Sequence, residues 1–363
     1  MTDYDRRRAA VLNSIDADAF LVVNLEATDP DSPGMLYLTG YPGFGVLVLT
    51  KDGTHAFASP TNIGMASEQA PHLDWKLLDW DYQRSIVALL RDLGVGRLGL
   101  ASRRIGLLTW QALEAAGSFE FDIREDPIAE VRSVKDGDEI AAVRTATEIT
   151  ESALEEIIAQ LQPGQTEREI AWRLECAMRE RGADGIAFDL IVSAGASSAL
   201  PHHDPCDRAI GKGDVLLFDI GAKYRGYCSD ITRVVSIGRP PDALREIYPI
   251  VLEANRAGID AFAPGVPGET VDRAARAVIE AAGFGEMYTH GLSHGVGIEV
   301  HEPPASTGSH AVAAYKAGMV CTAEPAIYLE GIGGIRIEDI LVVTDAGCDV
   351  ISRFPKDELV EIG

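Results

Sequence analysis

Apolar positions switch between two periods along this chain. Asp3–Ile15 is helical in composition, Phe20–Val23 is a short apolar run of strand length, and Phe44–Thr50 can pair with His55–Ala58 across the turn Lys51-Asp52-Gly53. Gln83–Leu93 returns to helical spacing through Ile86, Leu89, Leu90 and Leu93, and Leu98–Ala101 reads as strand again. These elements predict a small α/β domain, which carries only His55 and His72 among the histidines and no cluster of facing acids. A charged stretch, Arg132 to Glu139, precedes a long helical pattern that starts at Ile140 and runs through Val143, Ala146, Ile149, Ala153, Ile157 and Leu161. The domain boundary is expected there, giving domains 1–132 and 133–363.

The second region repeats itself. Pro163-Gly164 returns as Pro264-Gly265 and Gly182 as Gly283, all at an offset of 101 residues. Each Pro-Gly closes a helical pattern, and a capping signal opens the next: Thr166-x-x-Glu169 in the first copy, Gly268-Glu269-Thr270 in the second. Strand-like segments follow each helix pair. The pattern predicts an α+β domain of two α-α-β units related by a pseudo-twofold, with a site at their seam.

Composition narrows the function classes. Of 363 residues, 46% are apolar and 24% charged, the balance of a globular chain. A net charge of −24 repels nucleic-acid phosphates and anionic lipid, so neither nucleic acid nor a membrane surface is expected as a partner. No apolar run is long enough to cross a bilayer, and the N-terminal residues carry charge where a secretory signal requires an apolar stretch, so a cytoplasmic protein is expected. The cations are nearly all Arg, with Lys only at positions 51, 76, 135, 212, 223, 316 and 356. That surface suits a salt-rich, halophilic cytoplasm, and an ordinary acidic enzyme as well. Five cysteines without a C-x-x-C pair encode neither a zinc ribbon nor a disulfide framework, and buried reduced thiols are expected.

Four acids carry the chemistry. Asp219 lies in Val215–Gly221 and Asp230 in Tyr227–Thr232, with the turn-prone Tyr224-Arg225-Gly226 between them. In a hairpin centred near residues 224 and 225 the two acids would face one another across the strands, roughly 5 Å apart at Cβ. Glu324 and Glu338 flank the glycine-rich Gly331-Ile332-Gly333-Gly334 in the same manner. Between the two hairpins comes His290-Gly291-Leu292-Ser293-His294-Gly295-Val296-Gly297-Ile298-Glu299-Val300-His301, whose residues from Val296 onward alternate like a strand. Carboxylates in apolar strands cost several kcal/mol unless compensated. Two divalent ions would neutralise four of them, and a neutral imidazole would complete the ligand set. Such ion pairs, about 3.5–4 Å apart, hydrolyse amides and phosphate esters.

At these residues the chain resembles the metallopeptidase family of methionine aminopeptidase, aminopeptidase P and prolidase, built on the pita-bread fold. The likeness covers nearly the whole chain, the first domain being similar to the creatinase-type N-terminal domain. It implies that VLLFDIGAKYRGYCSDITR supplies the metal ligands Asp219 and Asp230, HGLSHGVGIEVHEPP supplies His294, and TAEPAIY and GIRIED supply Glu324 and Glu338. It further implies that Glu324 passes a proton from a metal-bridging hydroxide to the leaving nitrogen. His202 would contact substrate near that nitrogen, His301 would steady the carbonyl and the tetrahedral intermediate, and His290 would line the pocket. Each of these histidines also fits a satisfied structural imidazole, and His203 is ambiguous. Arg336 is expected on the face of Glu338, meeting either a bridging acid or a substrate carboxylate. Donors that are mostly oxygen favour Mn²⁺, with Co²⁺, Fe²⁺ or Zn²⁺ as alternatives. The N-terminal domain points to Xaa-Pro peptides, and to a homodimer of the prolidase or aminopeptidase P kind.

Other readings stay open at this point: a serine hydrolase built on Ser293 in G-x-S-x-G, a non-catalytic peptide-binding module, or a creatinase-like hydrolase or lyase. Gly94-Val95-Gly96-Arg97-Leu98-Gly99 spells G-x-G-x-x-G but runs from helix into strand, the reverse of a dinucleotide fingerprint. His301-Glu302-Pro303-Pro304 has prolines where a zincin helix would continue.

Overall fold

In the computed structural model, which describes residues 3–25, 32–308 and 311–363, the polypeptide divides into two units, Met1–Arg132 and Ser133–Gly363. The first is a six-stranded sheet of β1 (Ala19–Asn24), β2 (Gly45–Thr50), β3 (Gly53–Ala58), β4 (Trp75–Leu77), β5 (Arg97–Ala101) and β6 (Glu120–Arg124), in the order β4-β3-β2-β1-β5-β6. Central β1 is buried along almost its whole length, which is why it reads as an unbroken apolar run. Helices α1 (Asp3–Asn13), α2 (Pro33–Thr39), α3 (Ile63–Gln69), α4 (Tyr82–Asp92), α5 (Leu107–Ala116) and α6 (Pro127–Arg132) complete the unit. The glycines at 94–99 leave α4 and enter β5, so they offer no helix N-terminus to a phosphate.

The second unit opens on α7 (Gly137–Ile158), which starts three residues before the expected Ile140. Asp136 accepts from the Glu139 amide while Glu139 reaches back to the Asp136 N–H, so the charged stretch is itself the helix start. Leu161 falls beyond the helix end. The internal repeat is visible as two helix pairs, α7 with α8 (Glu167–Glu180) and α9 (Asp242–Asp260) with α10 (Gly268–Ala281). Gly164 and Gly265 adopt φ of 97° and 84°, and Gly182 and Gly283 adopt 93° and 86°, left-handed positions that explain why glycine recurs at one offset. Thr166 and Glu169 form a full capping box, whereas α10 starts at Gly268 with no side-chain cap.

Short strands follow each pair. β7 (Gly185–Ile186), β10 (Ala222–Tyr224) and β11 (Tyr227–Cys228) form one small sheet; β8 (Ile191–Ala194), β9 (Val215–Ile220) and β12 (Ile231–Ile237) join β20 (Val360–Ile362) in another. A five-stranded sheet contains β13 (His294–Gly295), β14 (Glu302–Ala305), β15 (Val320–Ala323), β18 (Asp339–Thr344) and β19 (Gly347–Val350), and β16 (Ala326–Leu329) with β17 (Gly333–Arg336) forms a two-stranded ribbon. β9 divides two cores: Leu216, Phe218 and Ile220 pack with α7 and α8, and Val215 and Leu217 pack with α9 and α10. Asp219 shares the second face by parity. Residues 296–301, expected to alternate as a strand, instead make a run of bends between β13 and β14. The cysteines divide as well: Cys228 and Cys321 are buried, but Cys176, Cys206 and Cys348 are partly exposed, and none is in a disulfide.

Candidate metal centre

Asp219 sits in β9, Asp230 just before β12, His294 at the start of β13, Glu324 just after β15 and Glu338 just before β18. The first hairpin closes on Arg225-Gly226, both left-handed at φ 49° and 77°, a two-residue turn one position later than expected. β9 and β12 therefore pair Asp219 with Thr232, and Asp230 is the diagonal neighbour of Asp219 rather than its direct partner. A shift of two in register keeps both acids on one face, so the constellation survives the correction. In the second hairpin Ala323 pairs with Asp339 and Ala326 with Arg336, which sets Glu324 opposite Glu338 where the two ladders meet. Ala323, Ile327, Ile335 and Ile337 turn into the core against α9 and α10. By the same parity Glu324, Tyr328, Arg336 and Glu338 share the other face.

Ligand atoms of Asp230, His294 and Glu338 lie within 4.8 Å of one another. His294 Nε2 stands 3.2 Å from Glu324 Oε1 and 3.6 Å from Asp230 Oδ2, and its Nδ1–H faces the Gly295 carbonyl at 3.2 Å. Second-layer contacts hold the acids in place. Thr232 Oγ1 donates to Glu338 Oε2 at 2.7 Å and accepts from Arg336 Nε at 3.1 Å, and Arg336 also pairs with Asp219.

The electrostatics call for cations. Burial pushes Asp230 and Glu338 well above the ordinary carboxylate range, and the charges of their acidic neighbours push them further. Asp219 is raised by burial against the pull of Arg336. Burial works against charge at Glu324 too, but the hydrogen bond and charge of His294 hold it down at about 2, and His294 is raised in return. The imidazolium–carboxylate contact this favours is one that metal binding would replace, since both groups are metal-ligand types. Asp230 Oδ1 is buried and has no hydrogen-bond partner. These residues fit divalent metal: an oxygen-rich, strongly anionic set with one imidazole whose Nε2 faces the acids.

The other expected residues surround this cluster. The His301 ring lies 4.1 Å from that of His294, centroid to centroid, and burial of its inner side, then the His294 charge, push it down to about 4. His290 donates from Nδ1 to the Gly291 carbonyl at 2.9 Å and meets the Tyr328 hydroxyl at 3.0 Å through Nε2, with its pKa lowered by burial. His202 is exposed, near enough to His290 and His301 for its charge to act on both. Arg336 is buried and donates to Asp219, Thr232, Tyr328 (2.6 Å) and more weakly to Pro201, so it neutralises an acid rather than offering an open contact to substrate. Sequence reasoning missed Thr232 and Tyr328. Thr232 becomes legible only once the register is known, and Tyr328 shares the parity of Arg336. Ser293 is buried and followed by β13, with no helix behind it, so the nucleophile-elbow reading is lost.

Gly221 separates the two aspartates, and a Cβ placed there would lie 2.0 Å from the Ser229 carbonyl oxygen. Gly221→Ala is expected to move the 229–230 backbone and so Asp230, lowering kcat/KM by about 10²-fold, since displacements near 1 Å have that effect. Steady-state kinetics at saturating metal would check it; a wild-type rate would show that the backbone yields elsewhere.

Residues 141–345 match the model of metallopeptidase family M24, and residues 6–134 that of the creatinase/prolidase N-terminal domain. An uncharacterised peptidase of Bacillus subtilis is 36% identical over 333 residues, spanning 89% of this chain and 92% of that protein. An Xaa-Pro dipeptidase of Pyrococcus furiosus is 34% identical over 323 residues, spanning 87% of this chain and 89% of that protein. Among solved structures, an X-Pro aminopeptidase of Thermotoga maritima superposes with a TM-score of 0.90 at 35% identity, covering 99% of this chain and all of its own.

Proposed function

The chain belongs to metallopeptidase family M24, and from that premise we propose that it is a binuclear metal-dependent exopeptidase that cleaves the Xaa-Pro bond of short peptides. The observation that carries the reading is the group of four carboxylates and one imidazole, Asp230 and Glu338 buried and Asp219, His294 and Glu324 partly so, in which Arg336 pairs with one acid and Asp230 Oδ1 has no partner. The names of the relatives support the substrate class. Among the described residues no helix is long and apolar enough to cross a membrane.

Asp219, Asp230, His294, Glu324 and Glu338 are the ligands we assign, and Mn²⁺ is the ion, because the set has one nitrogen and no sulfur. When bound, two such ions supply Lewis acidity and bring the pKa of coordinated water toward neutrality. Glu324, held at about 2, is ionised at neutral pH and is the group we assign to carry a proton to the leaving nitrogen. His301, held at about 4, is neutral and can donate an N–H to the carbonyl oxygen without setting a positive charge against the ions. His202 is assigned the contact near the scissile nitrogen. Thr232 and Arg336 orient Glu338 and Asp219, and such supporting contacts are worth about 10–100-fold in metal affinity or activity.

The test is an assay of Mn²⁺-reconstituted protein on Ala-Pro, Ala-Pro-Ala and Met-Ala. Hydrolysis before proline is expected at least about tenfold faster than of Met-Ala. It should be abolished by EDTA, restored by Mn²⁺ and indifferent to a serine-reactive phosphonate. Equal rates without regard to proline would overturn the substrate class. Activity that survives chelation would overturn the metal reading.

A further inference from the structure

The loop that carries His202 also builds a second cluster. Glu167, the first residue of α8, is fully buried, and its Oε1 accepts the Ala194 N–H at 2.8 Å. Its Oε2 is shared by His203 Nε2 at 2.8 Å, the Cys206 backbone N–H at 3.2 Å and Cys206 Sγ at 3.2 Å. The ligand atoms of the three side chains lie within 4.8 Å of one another, and His203 and Cys206 still reach solvent. One carboxylate from the start of α8 meets one imidazole and one thiol from the loop of residues 203–206.

We propose that Glu167, His203 and Cys206 form a second metal site, one that takes Zn²⁺ in preference to Mn²⁺. Oxygen and manganese suit one another, and thiolate sulfur suits zinc. As they stand, the three side chains are held together by hydrogen bonds to the Glu167 carboxylate. With bonds of about 2.0 Å to nitrogen or oxygen and about 2.3 Å to sulfur, the ligands of one tetrahedral ion must stand somewhat further apart. Binding would release the Cys206 thiol proton to solvent, move the His203 proton to Nδ1 and form metal–sulfur, metal–nitrogen and metal–oxygen bonds, with water in the fourth position. Glu167 and the Cys206 thiolate then balance the two positive charges, so no net charge is left in the pocket. The bound ion would tie the start of α8 to residues 203–206 and fix the neighbouring His202. The site contains none of the five residues assigned to the catalytic centre, and its existence does not depend on the peptidase reading.

Cobalt separates the two sites, because only a sulfur–cobalt bond absorbs strongly in the near ultraviolet. Full-length protein loaded with Mn²⁺ is titrated with Co²⁺ alongside Cys206→Ser, His203→Ala and Asp230→Asn, each checked for an unchanged circular dichroism spectrum. The expected result is a band that saturates at one Co²⁺ per chain in the parent. It should be lost in Cys206→Ser and His203→Ala, retained in Asp230→Asn and bleached by Zn²⁺. No band in the parent, a band that persists in Cys206→Ser, or one lost in Asp230→Asn would overturn the proposal. A failed peptide assay with this band intact would count against the peptidase reading alone.

Discussion

Replacing Asp230 with Asn is expected to lower kcat/KM by roughly 10³-fold or more, about 4 kcal/mol of transition-state stabilisation lost with a metal ligand. The metal-free variant is expected to be at least as stable as the metal-free parent. The two effects have opposite signs for one reason. Asp230 is buried among acids, and its pKa is raised well above the usual value, so without metal its charged form opposes folding. The folded parent holds protons that the unfolded chain releases above a pH of about 4. Metal-free stability should therefore fall as pH rises from there through the raised folded value, and fall less in the variant. Denaturant melts of metal-free protein at several pH values, beside kinetics at saturating Mn²⁺, check both halves. A variant that loses activity and metal-free stability together would identify Asp230 as a structural residue.

Lys135→Met is the second large effect. Lys135 Nζ donates to Glu302 Oε1 at 2.7 Å and to the Ser133 carbonyl at 3.3 Å, and both side chains of the ion pair are only 1% exposed. Glu302 Oε2 also accepts the Glu299 N–H at 3.2 Å, so the pair anchors the bends that carry His301. Removing the cation leaves the buried Glu302 carboxylate without the Lys135 charge, and a loss of about 3–5 kcal/mol is expected. The measurement is chemical denaturation of Lys135→Met beside Lys135→Met/Glu302→Leu, which removes the stranded charge as well. The double variant should regain most of the stability but not the catalytic rate, because Glu302 no longer holds residues 299–302. If the double variant were no more stable than the single one, the cost would lie in packing rather than in charge.

The helix pairs of the repeat and both acid hairpins were legible in the sequence because each rests on local chemistry, glycines at turns, caps at helix starts and alternation along strands, whereas α2, α3, β4, α5, β6 and α6 carried no signal that was read. Opposition of Glu324 and Glu338 followed from counting inward from a glycine-rich turn. The same counting misplaced Asp219 and Asp230 by two positions, since the turn takes Arg225 and Gly226, both left-handed, in place of Tyr224 and Arg225. Residues 296–301 alternate in composition yet bend, because Glu302 accepts the Glu299 amide and pulls the chain out of line. Thr232, Tyr328 and Glu167 were invisible for a different reason. Their importance lies in what they touch across the fold, and no spacing along the chain encodes it. The trio of buried Arg233 and Asp339 with partly exposed Lys356 is of the same kind.

The two helix pairs, each with its own apolar core on either side of β9, bear on ancestry. A half-length forebear of this domain would have held only half of the acids. It could have retained an ion pair only when two copies met, and its activity would have depended on concentration. Joining the copies in one polypeptide would remove that dependence and leave each half free to differ, as α8 with its capping box and α10 without one do.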